Sequence, residues 1–343
     1  TPITAADVKF SLERACDPAL NGGDGRGLPA WGVLRDLVGA EERLLGRRND
    51  IPGIELVDRF TLRLHLVAPR TTFLQRLALP VASVVQRANV EQGQDWWRHP
   101  IGSGPFRLLR WEPDAIVLGP HPGYRPAPPY LREVRIRTGA AALAPLNQYE
   151  RGELDIAPVP FWAIDRVAAP ESPYRDQLVV QPLFAGTYVF FNPAVPPLDD
   201  PAVRRALIQA FPREKIASVT LQGKVTLAQG IVPPGMLARD WNAGVPPYDP
   251  EAARRALAGR TLHLEIVSSG SDLAVTLARV WEQELGVTTD VLQLDWPDYL
   301  GDLDARRLPV FVFSWIADYP DPEAVLDALF AADSPHRPIV YEN

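Results

Sequence analysis

Two tryptophans and an aspartate near the end of the chain have the chemistry of a binding site. Trp296 lies in the segment L-D-W, whereas Trp315 and Asp318 share the segment S-W-I-A-D. An indole ring offers a large apolar wall with one polar N–H, which suits it to flank a ligand. A carboxylate that is partly removed from water needs a cation as its partner, such as an amine or a guanidinium. These residue types favour a site for a small molecule that carries a positive charge.

The elements around these residues predict an open α/β sheet with helices on its faces. From residue 261 onwards, apolar strand patterns alternate with amphipathic helix patterns, and Gly286 is a typical helix stop. Such alternation is typical of a parallel sheet, whose ligands bind beyond the carboxyl ends of the strands. Trp296 and Trp315 would then emerge on the same edge. The predicted strands cover residues 261–267, 287–294 and 309–314, and the predicted helices cover residues 272–285 and 297–306.

A purely structural interpretation of the same residues is equally open. Both indoles could belong to the core, and Asp318 could cap the helix that follows. Asp321 could pair with Asp318 for acid/base chemistry, but an aspartate directly before a proline is typical of the start of a helix. Topology alone does not decide between a core and a binding site at this edge.

Earlier in the chain, three helices have recognisable starts. Thr4 followed by Asp7 is typical of a capping box, which predicts a helix over residues 4–16. An aspartate directly before a proline predicts helix starts at Asp200 and at Asp249. Strict alternation of apolar and polar residues predicts strands with one wet face, and a continuous apolar run predicts a strand buried on both faces. These strands cover residues 61–67 and 131–138, and residues 187–192, respectively.

The composition excludes several classes of protein. The chain has 343 residues, of which 46% are hydrophobic and 22% charged, and this indicates a globular protein of two or more domains. A formal net charge of −7 argues against nucleic acid as a partner. Cys16 is the only cysteine, which excludes an internal disulfide and a cysteine-based zinc site. No apolar run approaches the ~18 residues of a membrane-spanning helix.

Catalytic signatures are also missing from the sequence. The five histidines are scattered without metal-binding spacing, and neither G-x-S-x-G nor G-x-G-x-x-G occurs. The glycine loop at residues 21–27 lacks the lysine and hydroxyl residue of a phosphate-binding loop. These absences predict a protein that is not an enzyme and has no cofactor and no metal site.

Six segments follow one another in the order found in a known family. They are T-P-I-T-A-A-D-V-K-F-S-L-E-R (1–14), I-G-S-G-P-F-R-L (101–108), L-N-Q-Y-E-R-G-E-L-D-I-A (146–157), Y-V-F-F-N-P-A-V-P-P-L-D-D-P-A-V-R-R-A-L (188–207), Y-D-P-E-A-A-R-R-A-L (248–257) and W-I-A-D-Y-P-D-P (315–322). Together they resemble the family 5 extracellular solute-binding proteins of ABC importers, the oligopeptide- and dipeptide-binding group. The ordered series is far more specific than any one of its motifs.

The resemblance implies an α/β, two-lobe periplasmic-binding-protein-like fold with an extra subdomain on lobe I. Residues 1–101 match the extra subdomain, residues 102–192 match lobe I, and residues 193–343 match lobe II. Members of the family usually extend beyond the first and last of these motifs, and the only methionine is Met236. We therefore expect a chain that is trimmed at both ends.

The resemblance also implies ligand-binding roles for five residues. Asp318 matches the aspartate that meets the α-ammonium group of a bound peptide. Trp296 and Trp315 match positions that wall the side-chain pockets, and Ile316 belongs to the same motif. Asn192 matches a hinge-strand asparagine that hydrogen-bonds the ligand backbone. A turn residue at the end of its strand is the alternative role for Asn192.

The implied function is that of an extracytoplasmic solute-binding component, which captures short peptides between two lobes by hinge closure. It would act as a monomer with the permease subunits of an ABC transporter. Its location would be periplasmic or extracellular, with a lipid anchor as one form. Two alternatives stay open: a ligand-sensing domain of the same fold in a cytoplasmic regulatory or signalling protein, and a binder of a non-peptide solute such as a nickel complex, an opine or an oligosaccharide.

Overall fold

The computed structural model describes residues 2–23, 25–124, 127–139, 143–236, 244–331 and 334. The chain divides into two compact units. The first unit comprises Thr1–Gly25, Leu34–Pro69 and Pro80–Pro182. The second unit comprises Arg26–Val33, Arg70–Leu79 and Leu183–Asn343. The second unit therefore takes two short segments from the first quarter of the sequence.

The longest helix of the first unit is α1, with 11 residues, and the longest of the second unit is α11, with 14 residues, among the described residues. The α-helices of the described ranges are α1 (Ala5–Ala15), α2 (Ala30–Leu34), α3 (Ala40–Leu44), α4 (Phe73–Arg76), α5 (Arg87–Val90), α6 (Pro145–Glu150), α7 (Ile164–Ala168), α8 (Pro201–Gln209), α9 (Arg213–Lys215), α10 (Pro250–Ala256), α11 (Asp272–Leu285), α12 (Trp296–Asp304) and α13 (Glu323–Phe330). The strands are β1 (Ile54–Leu56), β2 (Leu62–Leu64), β3 (Phe106–Trp111), β4 (Ala115–Pro120), β5 (Val134–Arg137), β6 (Ala185–Phe191), β7 (His263–Ser268), β8 (Thr288–Gln293) and β9 (Val310–Ile316). No helix in these ranges is both long enough and apolar enough to cross a bilayer.

The first unit contains the predicted capping box and two small antiparallel sheets. The Asp7 carboxylate accepts a hydrogen bond from the Thr4 backbone N–H at 2.8 Å, and the Thr4 hydroxyl oxygen accepts one from the Asp7 backbone N–H at 3.4 Å. β1 pairs with β2, and β3, β4 and β5 pair in that order. The predicted strands over 61–67 and 131–138 are present but shorter, as β2 and β5. The β3–β4 hairpin was not predicted.

The second unit is built on a four-stranded sheet of order β6-β9-β7-β8. β7 is parallel to both β8 and β9, as the alternation of elements predicts, and β6 is antiparallel to β9. Alternate residues of β9 enter different cores. Val310 and Val312 pack with the buried faces of α8, α10 and α11, whereas Phe311 and Phe313 pack with α12 and α13. Helices thus cover both faces of the sheet, and the carboxyl ends of its parallel strands share one edge.

The compact units do not coincide with the predicted division at residues 101 and 192. We placed residues 102–192 in lobe I, but β6 pairs along its whole length with β9 in the sheet of the second unit. The segments 26–33 and 70–79, which we placed in the extra subdomain, also belong to the second unit. Pairing between residues more than a hundred positions apart leaves no periodic signal in either segment, so local patterns do not reveal it.

Candidate ligand-binding site

The carboxyl ends of β8 and β9 bring both predicted tryptophans to one edge of the four-stranded sheet. Trp296 begins α12 shortly after β8, and Trp315 is the second-last residue of β9. The ring of Trp296 stacks on Tyr299 with a centroid separation of 5.8 Å. Tyr299 stacks on Phe313 at 6.5 Å, and Phe313 lies 6.2 Å from Trp315. The two indoles are therefore the ends of one aromatic row, on the side of the sheet that faces α12 and α13.

The side chains at this edge differ in how much surface they offer to a ligand. Trp296 is 53% exposed and Ile316 is 59% exposed, so neither belongs to the core. Trp315 is half-buried, and its indole N–H donates a hydrogen bond of 2.8 Å to the carbonyl oxygen of Ala324 in α13. This bond fixes the orientation of the ring. In this row the indole of Trp315 is held by a hydrogen bond, whereas the indole of Trp296 is exposed to solvent.

The last residues of β9 have an unpaired backbone edge within the described chain. β7 pairs with β9 only as far as Phe311. On the other side of β9, the Asn192 N–H donates to the Pro309 carbonyl and the Ala317 N–H donates to the Phe184 carbonyl, both at 2.8 Å. Because hydrogen-bonding directions alternate along an antiparallel strand, the backbone groups of the residues at 314 and 316 point away from β6. They therefore face the side that β7 does not reach.

The side chain of Tyr299 closes the β7 side of this backbone edge. Its hydroxyl donates a hydrogen bond of 2.8 Å to the carbonyl oxygen of Val312, just beyond the last paired residue. Burial raises the pKa of Tyr299 well above its usual range, which agrees with its exposure of 1%. We did not identify Tyr299 from the sequence. The signal was there, since its spacing of three residues from Trp296 places both on one side of α12.

Asp318 lies on the turn between β9 and α13, and the turn is anchored at both ends. The Ala317 N–H donates to the Phe184 carbonyl at 2.8 Å, and the Glu323 N–H donates to the Asp321 carboxylate at 2.9 Å. Asp318 itself is exposed, and no ion pair or hydrogen bond joins its carboxylate to another described residue. The carboxylate that accepts an N–H bond at the start of α13 is therefore that of Asp321, and the alternative in which Asp318 caps this helix was wrong.

The structure does not bring Asn192 to the other predicted site residues. β6 is antiparallel to β9, so Phe191 pairs with Val310, whereas Ala185 pairs with Ile316. Six residues of extended strand separate these two pairs, a distance of about 20 Å. Asn192 thus lies at the opposite edge of the sheet from Asp318.

The amide of Asn192 is used within the fold. It is 4% exposed, and its Nδ2 donates to the carbonyl oxygens of Arg306 at 3.0 Å and Leu308 at 3.2 Å. Its Oδ1 accepts a hydrogen bond of 3.1 Å from the N–H of Ala194, as in an Asx turn. The turn interpretation is therefore the one that the geometry of Asn192 supports.

We expect Asn192→Leu to lower the free energy of unfolding by about 2 kcal/mol, because two carbonyl oxygens lose their donors. We expect no change in ligand affinity, since the site lies at the other edge. Urea denaturation measures the first effect, and calorimetric titration of the folded variant measures the second. A stable variant with lost affinity would instead restore a ligand-binding role for Asn192.

The groups at this edge have the chemistry that a ligand-binding site needs. A backbone edge can hydrogen-bond an extended chain, an aromatic row can cover apolar groups, and an exposed carboxylate can pair with a cation. Within the described ranges, no cluster of three or more histidine, cysteine, aspartate or glutamate side chains is arranged to hold a metal ion.

Comparison with known proteins identifies the family. The model of the bacterial extracellular solute-binding proteins, family 5 (Middle), matches residues 1–335. The periplasmic oligopeptide-binding protein OppA of Escherichia coli is 26% identical, covering 97% of this chain and 64% of OppA. The "Probable deoxycholate-binding periplasmic protein YgiS" of the same species is 28% identical, covering 96% of this chain and 64% of its own length. The chain therefore spans less than two thirds of either curated relative.

Solved structures support the same assignment at the level of the fold. A periplasmic oligopeptide-binding protein from Borrelia burgdorferi superposes with a TM-score of 0.81 at 22% identity, covering 100% of this chain and 70% of that one. The fold class is thus that of the two-lobe periplasmic binding proteins, as the six motifs predict. Because the family model covers nearly the whole sequence, this chain belongs to the bacterial extracellular solute-binding proteins of family 5.

Proposed function

We propose that this chain is the solute-binding component of an ABC importer, that it captures short peptides, and that it is not an enzyme. The observation that carries the proposal is the end of β9, where an exposed carboxylate follows an aromatic row and a backbone edge that no described strand pairs with. Membership of the family supports the role in import. The oligopeptide-binding relatives support peptides as the ligand class.

The backbone edge at residues 314 and 316 suits the main chain of a peptide. An extended peptide that adds to a sheet edge gains main-chain hydrogen bonds whatever its sequence. Trp296 and Ile316, which are both more than half exposed, offer apolar surface to the peptide side chains. The site would therefore accept many sequences.

Asp318 suits the α-ammonium group of the peptide. A bound peptide would cover this carboxylate, and a carboxylate out of water requires a paired cation. Because both ends of its turn are anchored by hydrogen bonds, little conformational entropy is lost when the pair forms. The charge would place the amino terminus of the peptide beside Trp315.

The family also supports the remaining parts of the proposal. We place the protein in the periplasm or outside the cell, with ABC transporter permease subunits as its partners. Closure of the lobes around the ligand, the motion typical of periplasmic binding proteins, would complete capture. No cofactor is required for any of these steps.

An amphipathic non-peptide solute is the second candidate ligand. The open face of Trp296, stacked on Tyr299, offers a broad apolar surface that does not require a peptide. The relative named for deoxycholate supports this candidate. Against it, the carboxylate of Asp318 would repel an anionic solute.

Calorimetric titration of the whole protein with trialanine, N-acetyl-trialanine and deoxycholate tests the proposal. We expect trialanine to bind, and the acetylated peptide to bind about thirtyfold more weakly because it lacks the ammonium charge. Equal affinity for the two peptides would contradict the role of Asp318. Binding of deoxycholate without binding of trialanine would favour the second candidate.

A further inference from the structure

A buried arginine from the first quarter of the chain lies against the turn that carries Asp318. Arg76, the last residue of α4, is 1% exposed. One of its terminal nitrogens bonds the Glu323 carboxylate, and the other donates to the carbonyl oxygen of Gly32 at 3.1 Å. Its guanidinium carbon lies 5.8 Å from the ring centroid of Tyr319, the residue directly after Asp318.

Glu323 contacts several side chains of the segment 70–79. The hydroxyl of Thr72 donates to the second carboxylate oxygen of Glu323, and Arg70 lies 3.6 Å from the first. Glu323 is also the first residue of α13, where the helix dipole favours a negative charge. Three side chains of the segment 70–79 therefore converge on the carboxylate at the start of α13.

The same turn of α13 supports both predicted contacts of the ligand. The Glu323 N–H is bonded to the Asp321 carboxylate, which closes the turn that carries Asp318. The carbonyl oxygen of the next residue, Ala324, holds the indole N–H of Trp315. A displacement of Glu323 would therefore move the carboxylate and the indole together.

The ion pair between Arg76 and Glu323 holds the start of α13 rigidly. A buried guanidinium is costly without a charged partner, and the two terminal nitrogens of Arg76 bond the Glu323 carboxylate and the Gly32 carbonyl. The planar fork of arginine binds several acceptors in one fixed geometry, which the single ammonium of lysine does not reproduce. Tyr319, beside Arg76, is half-buried, and this partial burial raises its pKa to about 12.

We propose that Arg76 is a positioning residue of the ligand site, which acts through Glu323 and Tyr319 to hold Asp318 and Trp315 in place. This inference rests on the proposed function, because it assumes that Asp318 pairs with the ammonium group of a peptide. Arg76 itself would make no contact with the ligand. Its effect is on the geometry of the residues that do.

The test compares Arg76→Lys with Arg254→Lys in the whole protein, by titration with trialanine and N-acetyl-trialanine. Arg254 of α10 bonds Glu284 of α11 at 3.0 Å at the opposite edge of the sheet, so it is the control for an arginine–glutamate pair that is distant from the site and more exposed than Arg76–Glu323. We expect Arg76→Lys to weaken trialanine binding by about tenfold, because a misplaced carboxylate loses its pre-organised pairing. We expect the acetylated peptide to lose less than about twofold, and Arg254→Lys to change neither affinity.

Three outcomes of this comparison would overturn the inference. Arg76→Lys could bind trialanine as the parent does, it could weaken both peptides equally, or Arg254→Lys could reproduce its effect. Thr72→Val is the second variant, which removes only one hydrogen bond to Glu323 and keeps the buried charge pair. We expect it to weaken trialanine selectively by about threefold; an unchanged affinity would overturn the inference even if Arg76→Lys does not fold. A parent protein that fails to distinguish the two peptides would instead contradict the proposed function itself.

Discussion

Asp318→Asn is expected to weaken the binding of a peptide with a free amino terminus by about thirtyfold or more. This factor corresponds to the smallest free-energy cost that is typical when a desolvated charge pair loses one partner. Asparagine keeps the size of the side chain and one acceptor oxygen, so the change isolates the charge. We choose the low end because Asp318 is exposed in the described structure and would be desolvated only by the ligand itself. Calorimetric titration with trialanine measures the effect.

The acetylated peptide supplies the decisive control for Asp318→Asn. It carries no ammonium charge, so the substitution should weaken its binding little, and the two changes should not be additive. Asp304→Asn is the matched variant, since Asp304 is exposed at the end of α12 and far along the helix from Trp296. If Asp318→Asn weakens both peptides by the same factor, the carboxylate does not pair with the ammonium group.

Local chemistry made much of the second unit predictable. The alternation of strands and helices from residue 261 onwards gave parallel strands in one sheet, because helix and strand periodicities differ clearly in long segments. α11 begins after Ser271, whose side chain caps the helix. It ends at Gly286, which has a left-handed backbone conformation with a φ of 67°. The shared edge for Trp296 and Trp315 followed from topology alone, since parallel strands end on one side.

Long-range pairing was the part that the sequence did not reveal. The pattern of residues 187–192 predicted a strand but not its partner or direction, and in the structure this strand, β6, runs antiparallel to β9. Reversal of one strand moves its last residue to the opposite edge, yet it changes nothing in the strand's own pattern of side chains. The contact of the buried Arg76 with Glu323 was also missed, because 247 residues separate the two and local patterns do not reveal such a contact.

Glu323→Gln is expected to lower the free energy of unfolding by about 2–3 kcal/mol, because Arg76 stays buried and loses the charge of its carboxylate partner. We discount the full cost of a broken buried pair, since the side chain of Glu323 is 20% exposed whereas that of Arg76 is 2% exposed. Arg70, at 3.6 Å, loses the same counter-charge and adds a second cation to the imbalance. Urea denaturation, followed by far-UV circular dichroism, measures the difference.

Two comparisons separate this charge effect from the loss of a surface contact. Glu284→Gln removes the partner of Arg254 in a pair whose side chains are 29% and 50% exposed, and solvent should limit its effect to about 0.5 kcal/mol. Adding Arg76→Met to Glu323→Gln should recover part of the lost stability, because an apolar side chain of similar length no longer needs a counter-charge. Two results would contradict this: Glu323→Gln as stable as the parent, or the double variant less stable than Glu323→Gln alone. Either would show that the charge of Glu323 does not stabilise the buried Arg76. The support that we infer for Asp318 would then lack its energetic basis.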